Sequence, residues 1–415
     1  GKGLPTYGGL PPQSGGGSNQ RARARLFPEN FDFPGAVLMS SIPALRRHAP
    51  APKREAADLR KSGLDPNFWY PLARSKALKA GKSLAVSFAG EPIALVRPEK
   101  GEVFALEDRC AHRQVPLTMG VVRGERLQCH YHCWTYDRTG ACVNVPYLDE
   151  GKQLPNGVKS YPVREAYGFL FVYTGDQAAP GFAAFPDVST FAKGEYKTRT
   201  LDRTIGCHWS FMHENLMDMN HQFLHRSLMG SIRATCLDVR SGDGWVECDY
   251  TFSRAAGKQP LGERFMINRK GAAKISDGSI DMMTIRTEYP YQTLKFWTAG
   301  SPRDEPAPDL WTCYWPTDSA QPKHQTYGLM MIRKPPIPGM IHVIWPFIVA
   351  FTNGIFGQDT EIVEAEQAAF DAQGEDWNQE IFPAIQELRE LLIEKSVPVA
   401  AYAQGGVVKL ADLPR

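Results

Sequence analysis

The chain has 415 residues, of which 43% are hydrophobic and 22% charged, with a formal net charge of +2. That length allows two or three domains with separate cores, the composition is ordinary for a globular protein, and the near-neutral charge removes any general electrostatic case for binding nucleic acid or an acidic membrane surface. Eight cysteines are too sparse for the disulfide framework of a small secreted domain, and four of them fall between Cys110 and Cys142 near histidines, which points to metal chemistry in a reducing compartment, expected to be the cytoplasm.

Residues 1–60 are rich in Gly, Pro and Arg with few periodic apolar positions, so they read as a low-complexity extension without a core. From residue 61 to 178, short alternating apolar runs such as SLAVSF, PIALVRP and GFLFVYTG are separated by turn pairs, the pattern of an all-β domain. The Pro- and Ala-rich passage DQAAPGFAAFPDVS reads as a linker. Beyond it, residues 179–415 mix strand-like runs with helical segments at Asp359–Ala372 and Asn378–Lys395, which describes an α+β domain around an antiparallel sheet. The longest mostly apolar run, Ile341–Phe356, contains His342, Pro346 and Asn353 and is read as a buried strand with its following turn, so no transmembrane segment is expected.

Within the β domain lie Cys110-Ala-His112 and Cys129-His-Tyr-His132, sixteen residues apart. Each pair is expected on a loop between strands, so two hairpin tips could each offer a thiolate and an imidazole. A structural zinc site is the simpler alternative, but zinc fingers place a Cys pair before a His pair. Here each loop carries Cys then His, which suits a two-iron, two-sulfide centre with cysteines on one iron and histidines on the other. Cys133 and Cys142 are left over and are read as ordinary buried thiols.

A second constellation begins at Glu214–His225, ENLMDMNHQFLH. If this stretch is helical, Asn215, Asp218, His221 and His225 share one face. His221 and His225 can then hold one metal ion, while Asp218 is placed to accept the other ring N–H of His221 and fix its tautomer. Two histidines and one carboxylate with open positions form the non-heme Fe(II) oxygenase site. The carboxylate is expected from Asp359, at the start of the helix DTEIVEAEQAAF, rather than from Glu361, Glu364 or Glu366 on its solvated face. His208 and His213 are alternative ligands that do not fit the one-face spacing.

With these motifs in place, residues 67 to about 395 resemble the oxygenase α subunit of Rieske non-heme iron oxygenases. The tail Phe356-x-x-Asp359-x-x-Ile-x-Glu364-x-x-Gln367 is similar to the phthalate-oxygenase-like group, which includes aromatic O-demethylases. The resemblance implies a Rieske [2Fe-2S] domain followed by a helix-grip catalytic domain, and a homotrimer in which the cluster of one subunit faces the iron of its neighbour. It assigns Cys110, His112, Cys129 and His132 to the cluster, His221, His225 and Asp359 to the iron, and Asp218 to the bridge between them. Cys133 stands where Gly usually follows the second His, and Gln358 where an acid often precedes the ligand Asp. The implied activity is hydroxylation or demethylation of a small, mostly apolar substrate, expected to be aromatic, with O2. The runner-up is ring dihydroxylation, and a reading of another class is an electron carrier or zinc-stabilised binding protein. Because no flavin or nicotinamide motif is present, electrons from NAD(P)H are expected through a separate reductase, with or without a ferredoxin.

Overall fold

A computed structural model describes residues 58–256 and 281–402, so the extension lies outside the described residues up to Ala57. The described part of the β domain contains two antiparallel sheets, one of four strands (Lys82–Phe88, Glu91–Arg97, Phe104–Glu107, Ser160–Tyr161) and one of three (Trp69–Arg74, Val163–Ala166, Phe169–Tyr173). A further four-stranded sheet (Val121–Arg123, Arg126–Gln128, Thr135–Tyr136, Cys142–Asn144) supports the metal loops. Its core is apolar: Leu117, Leu127 and Tyr136 are fully buried and close over Cys110 and Cys129.

The second domain is built on a seven-stranded antiparallel sheet: β1 (Tyr196–Ile205), β2 (Ser231–Gly242), β3 (Trp245–Ala256), β4 (Met282–Glu288), β5 (Tyr291–Trp297), β6 (Pro308–Pro316) and β7 (His324–Arg333). The spatial order is β1-β7-β6-β5-β4-β3-β2. The central strands are long alternating aromatic and β-branched runs, so they bury well on both faces. Among the described residues, four helices accompany the sheet: α1 (Trp209–Met217), α2 (Arg226–Met229), α3 (Met340–Gln373) and α4 (Pro383–Lys395). Ile341, Ile344 and Ile348 of α3 pack on Leu201, Leu310, Met330 and Ile332 of the sheet.

Two sequence expectations fail here. Ile341–Phe356 is no strand; it is the first half of the 34-residue helix α3, which runs through Pro346. An apolar run of this length does not distinguish a helix from a strand, and the i, i+3, i+7 spacing of Ile341, Ile344 and Ile348 was the discriminating signal. By length and hydropathy α3 is also long and apolar enough to cross a membrane, although it carries a buried Asp359. The Pro/Ala-rich passage is packed rather than loose: Phe182 stacks on Trp69 at 5.6 Å, Phe185 meets the same ring edge-on, and Val188 is buried. One continuous core accordingly spans both domains, from Trp69 and Phe171 to Trp311 and Leu388.

Candidate metal centres

The stretch Glu214–His225 is not one helix. α1 ends at Met217, Asp218 leaves helical geometry (φ −92°, ψ 92°) and caps a 3-10 turn Met219–Phe223, and His225 precedes α2. The Asp218 carboxylate accepts from the backbone N–H of Asn220 at 2.8 Å and from its side-chain amide at 2.7 Å. That local competition for backbone donors is what makes Asp a helix terminator. On the far side, Glu214 is clamped between Arg60, whose side chain is buried, and Arg389, which fixes α1 against α4.

The break still brings the intended residues together. Among the described residues, His221, His225 and Asp359 have ligand atoms that all lie within 4.8 Å of one another. The Nε2 atoms of His225 and His221 are 3.2 and 3.8 Å from Asp359 Oδ1, and the imidazole planes meet at 84°. Asp359 sits in the middle of α3, not at a helix start, so its backbone is rigid. The expected tautomer lock on His221 exists with a different donor-acceptor pair: His221 Nδ1–H donates to the backbone carbonyl of Asp218, not to its carboxylate. His225 Nδ1–H donates to Gln358 Oε1 at 2.9 Å, and Gln358 in turn donates to Ser227 Oγ at 3.0 Å. In the sequence Gln358 stands out only as a departure from the family pattern, and its place beside Asp359 is the one hint of this role.

With both Nδ1 protons engaged, the two Nε2 lone pairs face a carboxylate oxygen. Asp359 is 6% exposed and its Oδ1 has no hydrogen-bond donor. Buried acceptors converging without a donor are costly, and a divalent cation is the group that satisfies all three. Burial makes His221 a weaker base than usual, with Asp359 opposing. For His225 burial acts the same way, but the neighbouring Asp359 carboxylate outweighs it and raises its proton affinity. The site therefore favours a positive charge at this point. Two facial imidazoles and a carboxylate fit Fe(II) with open positions.

The remaining candidates lie elsewhere. His208 is the N-cap of α1, bonded to Ser210 and to the Ser62 carbonyl. His213 is fully buried between Trp209 and Tyr314, with neither ring nitrogen paired. Glu361, Glu364 and Glu366 are exposed. Asn215 lines the cavity that opens onto the triad, about 190 Å³ in volume and walled by Met219, Met283, Met330, Phe252, Phe296 and Leu310 among others.

In the β domain, the two Cys-His loops are built alike. Cys110 N–H donates to Val115 O and Gln114 N–H to Cys110 O; correspondingly Cys129 N–H donates to Trp134 O and Cys133 N–H to Cys129 O. The fifth residue of each loop is left-handed, Gln114 at φ 59° and Cys133 at φ 60°. This explains why glycine suits position 133. Cys133 is exposed, contrary to the expectation of a buried thiol, whereas Cys142 is buried as expected.

The pairing within the four residues is thiol with thiol and imidazole with imidazole. Cys110 and Cys129 are each 2% exposed and interact directly, while the His112 and His132 rings lie 4.6 Å apart. That grouping matches one iron held by sulfur and a second by nitrogen. His112 Nδ1 is buried without a hydrogen-bond partner, as a ligand atom would be. Tyr136 Oη accepts from Ala111 N–H at 3.1 Å, leaving its own proton for Cys110 Sγ at 3.2 Å. Hydrogen bonds to cluster sulfurs tune the reduction potential. Trp134 stacks on His112 at 4.7 Å and 3° and holds its plane.

Residues 68–162 match the Rieske [2Fe-2S] domain family, and residues 205–385 match the vanillate O-demethylase oxygenase C-terminal domain. Among curated relatives, the 4β-methylsterol monooxygenase of Methylococcus capsulatus is 28% identical over 81% of this chain and 90% of its own length. The oxygenase component of dicamba O-demethylase from Stenotrophomonas maltophilia is 33% identical over 39% of this chain and 48% of the relative. Among solved structures, dicamba monooxygenase bound to dicamba superposes with a TM-score of 0.63 at 22% identity, covering 82% of this chain and 98% of that one. NdmA of Pseudomonas putida with caffeine gives 0.59 at 20% identity, covering 79% and 89%.

Proposed function

As the chain belongs to the Rieske non-heme iron oxygenases, as an oxygenase α subunit carrying a [2Fe-2S] domain and working with a partner reductase, we propose that it is a monooxygenase or demethylase acting on a neutral, largely hydrocarbon molecule. When bound, the cluster supplies single electrons and a mononuclear Fe(II) supplies the O2-activating centre. Cys110, Cys129, His112 and His132 would hold the first; His221, His225 and Asp359 would hold the second. The Asp218 backbone and Gln358 keep both Nε2 atoms turned inward, so the ligand set is preorganised before metal arrives. Asp218, between α1 and the His221 turn, is the residue we assign to the bridge between centres, in a homotrimer where the two centres come from neighbouring subunits. Electrons would come ultimately from NAD(P)H. Eight cysteines, too sparse for a disulfide framework and half of them beside the histidines of the metal loops, support a reducing, cytoplasmic setting.

The observation that carries the substrate class is the cavity wall. Among the described residues lining it there is no Lys or Arg, and the acids Asp281 and Asp359 are present. Among these residues a carboxylate or sulfonate substrate would meet no basic side chain to offset its lost hydration. Methionine, leucine and phenylalanine side chains instead reward apolar area at about 25 cal/mol per Å². Metal and sulfide analysis tests the centres: three irons and two acid-labile sulfides per chain are expected, and a colourless zinc protein would overturn the reading. Turnover under labelled O2 with a panel of neutral and anionic substrates tests the rest. One labelled oxygen in a neutral product is expected; two, or a preference for the anions, would overturn it.

A further inference from the structure

The first half of α3 has three distinct sides. Ile341, Ile344 and Ile348 face the sheet. At about 100° per residue, Val343, Phe347 and Ala350 fall on one stripe on the opposite side. Val343 is 71% and Phe347 59% exposed, Ala350 is exposed, and Ile337 just before the helix is 57% exposed. The stripe is limited to this half, because one turn beyond Gly357 it reaches Glu361 and Glu364.

Two features border the stripe. On one flank, alternate residues of the edge strand β1 bring Lys197, Arg199 and Arg203 against α3. Lys197 Nζ lies 4.4 Å over the Trp345 ring and 3.1 Å from His342 Nδ1, Arg199 donates to the Val349 carbonyl, and Arg203 donates to Asn353 at 3.1 Å. Among the described residues these cations meet aromatic, amide and backbone groups rather than carboxylates. On the other flank, Phe351 and Ile355 turn into the wall of the substrate cavity. An apolar helical stripe with a cationic edge and a tryptophan beneath a lysine is the composition of a helix lying in a bilayer interface.

We propose that this half of α3 rests on an anionic lipid surface, so that a lipophilic substrate passes from the bilayer along Phe351 into the cavity. The overall charge of +2 hides this, because Lys197, Arg199 and Arg203 of β1 lie together beside the apolar stripe, while α3 itself carries no Lys or Arg. Substrate transfer rests on the reading of the cavity above; lipid binding does not, so the two can fail separately.

Co-sedimentation of the full, metal-loaded chain with vesicles of phosphatidylcholine, with and without phosphatidylglycerol, tests the surface. Binding is expected with the anionic vesicles and is expected to fall with salt. Lys197→Gln should weaken it about fivefold, and Val343→Asp with Ala350→Asp at least about tenfold, with iron content and Rieske absorption unchanged in both. Failure of the unmodified chain to prefer anionic vesicles would overturn the proposal. So would undiminished binding by the Val343→Asp, Ala350→Asp chain. If light scattering shows that this double substitution dissociates an oligomer while vesicle binding persists, the stripe is a contact between copies of the chain and the lipid proposal fails.

Discussion

Asp218 performs two tasks with different atoms. Its carbonyl holds His221, while its carboxylate reaches no further than Asn220 within the subunit. Asp218→Ala should therefore retain both metal centres, measured by iron content and Rieske absorption, while turnover falls sharply. Gln358→Leu should do the opposite at the iron site: loss of the His225 partner costs about 10–100-fold in iron affinity, read by equilibrium dialysis, with the cluster intact. A third residue reports on pH. Burial holds the basicity of His213 down to about 3, so it stays neutral in the fold. Between about pH 6.5 and that value the unfolded chain binds a proton that the native chain does not, so stability falls as pH falls. His213→Leu, which removes two unpaired buried nitrogens, should not destabilise at neutral pH. It should also flatten the acid slope of Tm, removing about 2 kcal/mol of the loss at about pH 5.

At the scale of elements, the iron site depends on how α2 meets α3. His225 stands at the start of α2, Asp359 lies within α3, and the helices touch where Leu228 covers Gly354. A Cβ at Gly354 would come within 2.8 Å of Leu228 Cδ1. A branched side chain there must push α2 outward. Gly354→Ile is expected to lower mononuclear iron occupancy through overpacking of about 1–3 kcal/mol, without affecting the Rieske spectrum; adding Leu228→Ala should restore occupancy. An unchanged iron content in the single variant would show that the helices do not set the ligand distance.

For the whole molecule, the two centres are carried by different domains that share one apolar core. If electrons pass between subunits, a chain lacking the cluster can be served by a neighbour that has one. Cys129→Ser and His225→Ala should each be inactive alone. After the two are mixed and allowed to exchange subunits, activity should return. Persistent inactivity in a mixture shown by mass to contain hybrids would rule out transfer between subunits.

Ligand identity and short-range spacing are local, so the chemistry this chain offers was legible in the order of its residues. Cys110-x-His112, Cys129-x-x-His132 and His221-x3-His225 set thiols and imidazoles at spacings that metal sites use, and the alternating runs were enough to read the β domain. Conformation that depends on distant partners was not legible there. Ile341–Phe356 became a helix because its isoleucines had a sheet to pack on, and Asp218 broke the helix yet kept both histidines in reach. Asp359 met them from a helix more than a hundred residues away. The cationic edge of β1 acquired meaning only when folding laid it beside the apolar stripe of α3. Local spacing is written in the order of residues, whereas burial, cavity shape and surface patches are set by contacts between segments that the order does not specify.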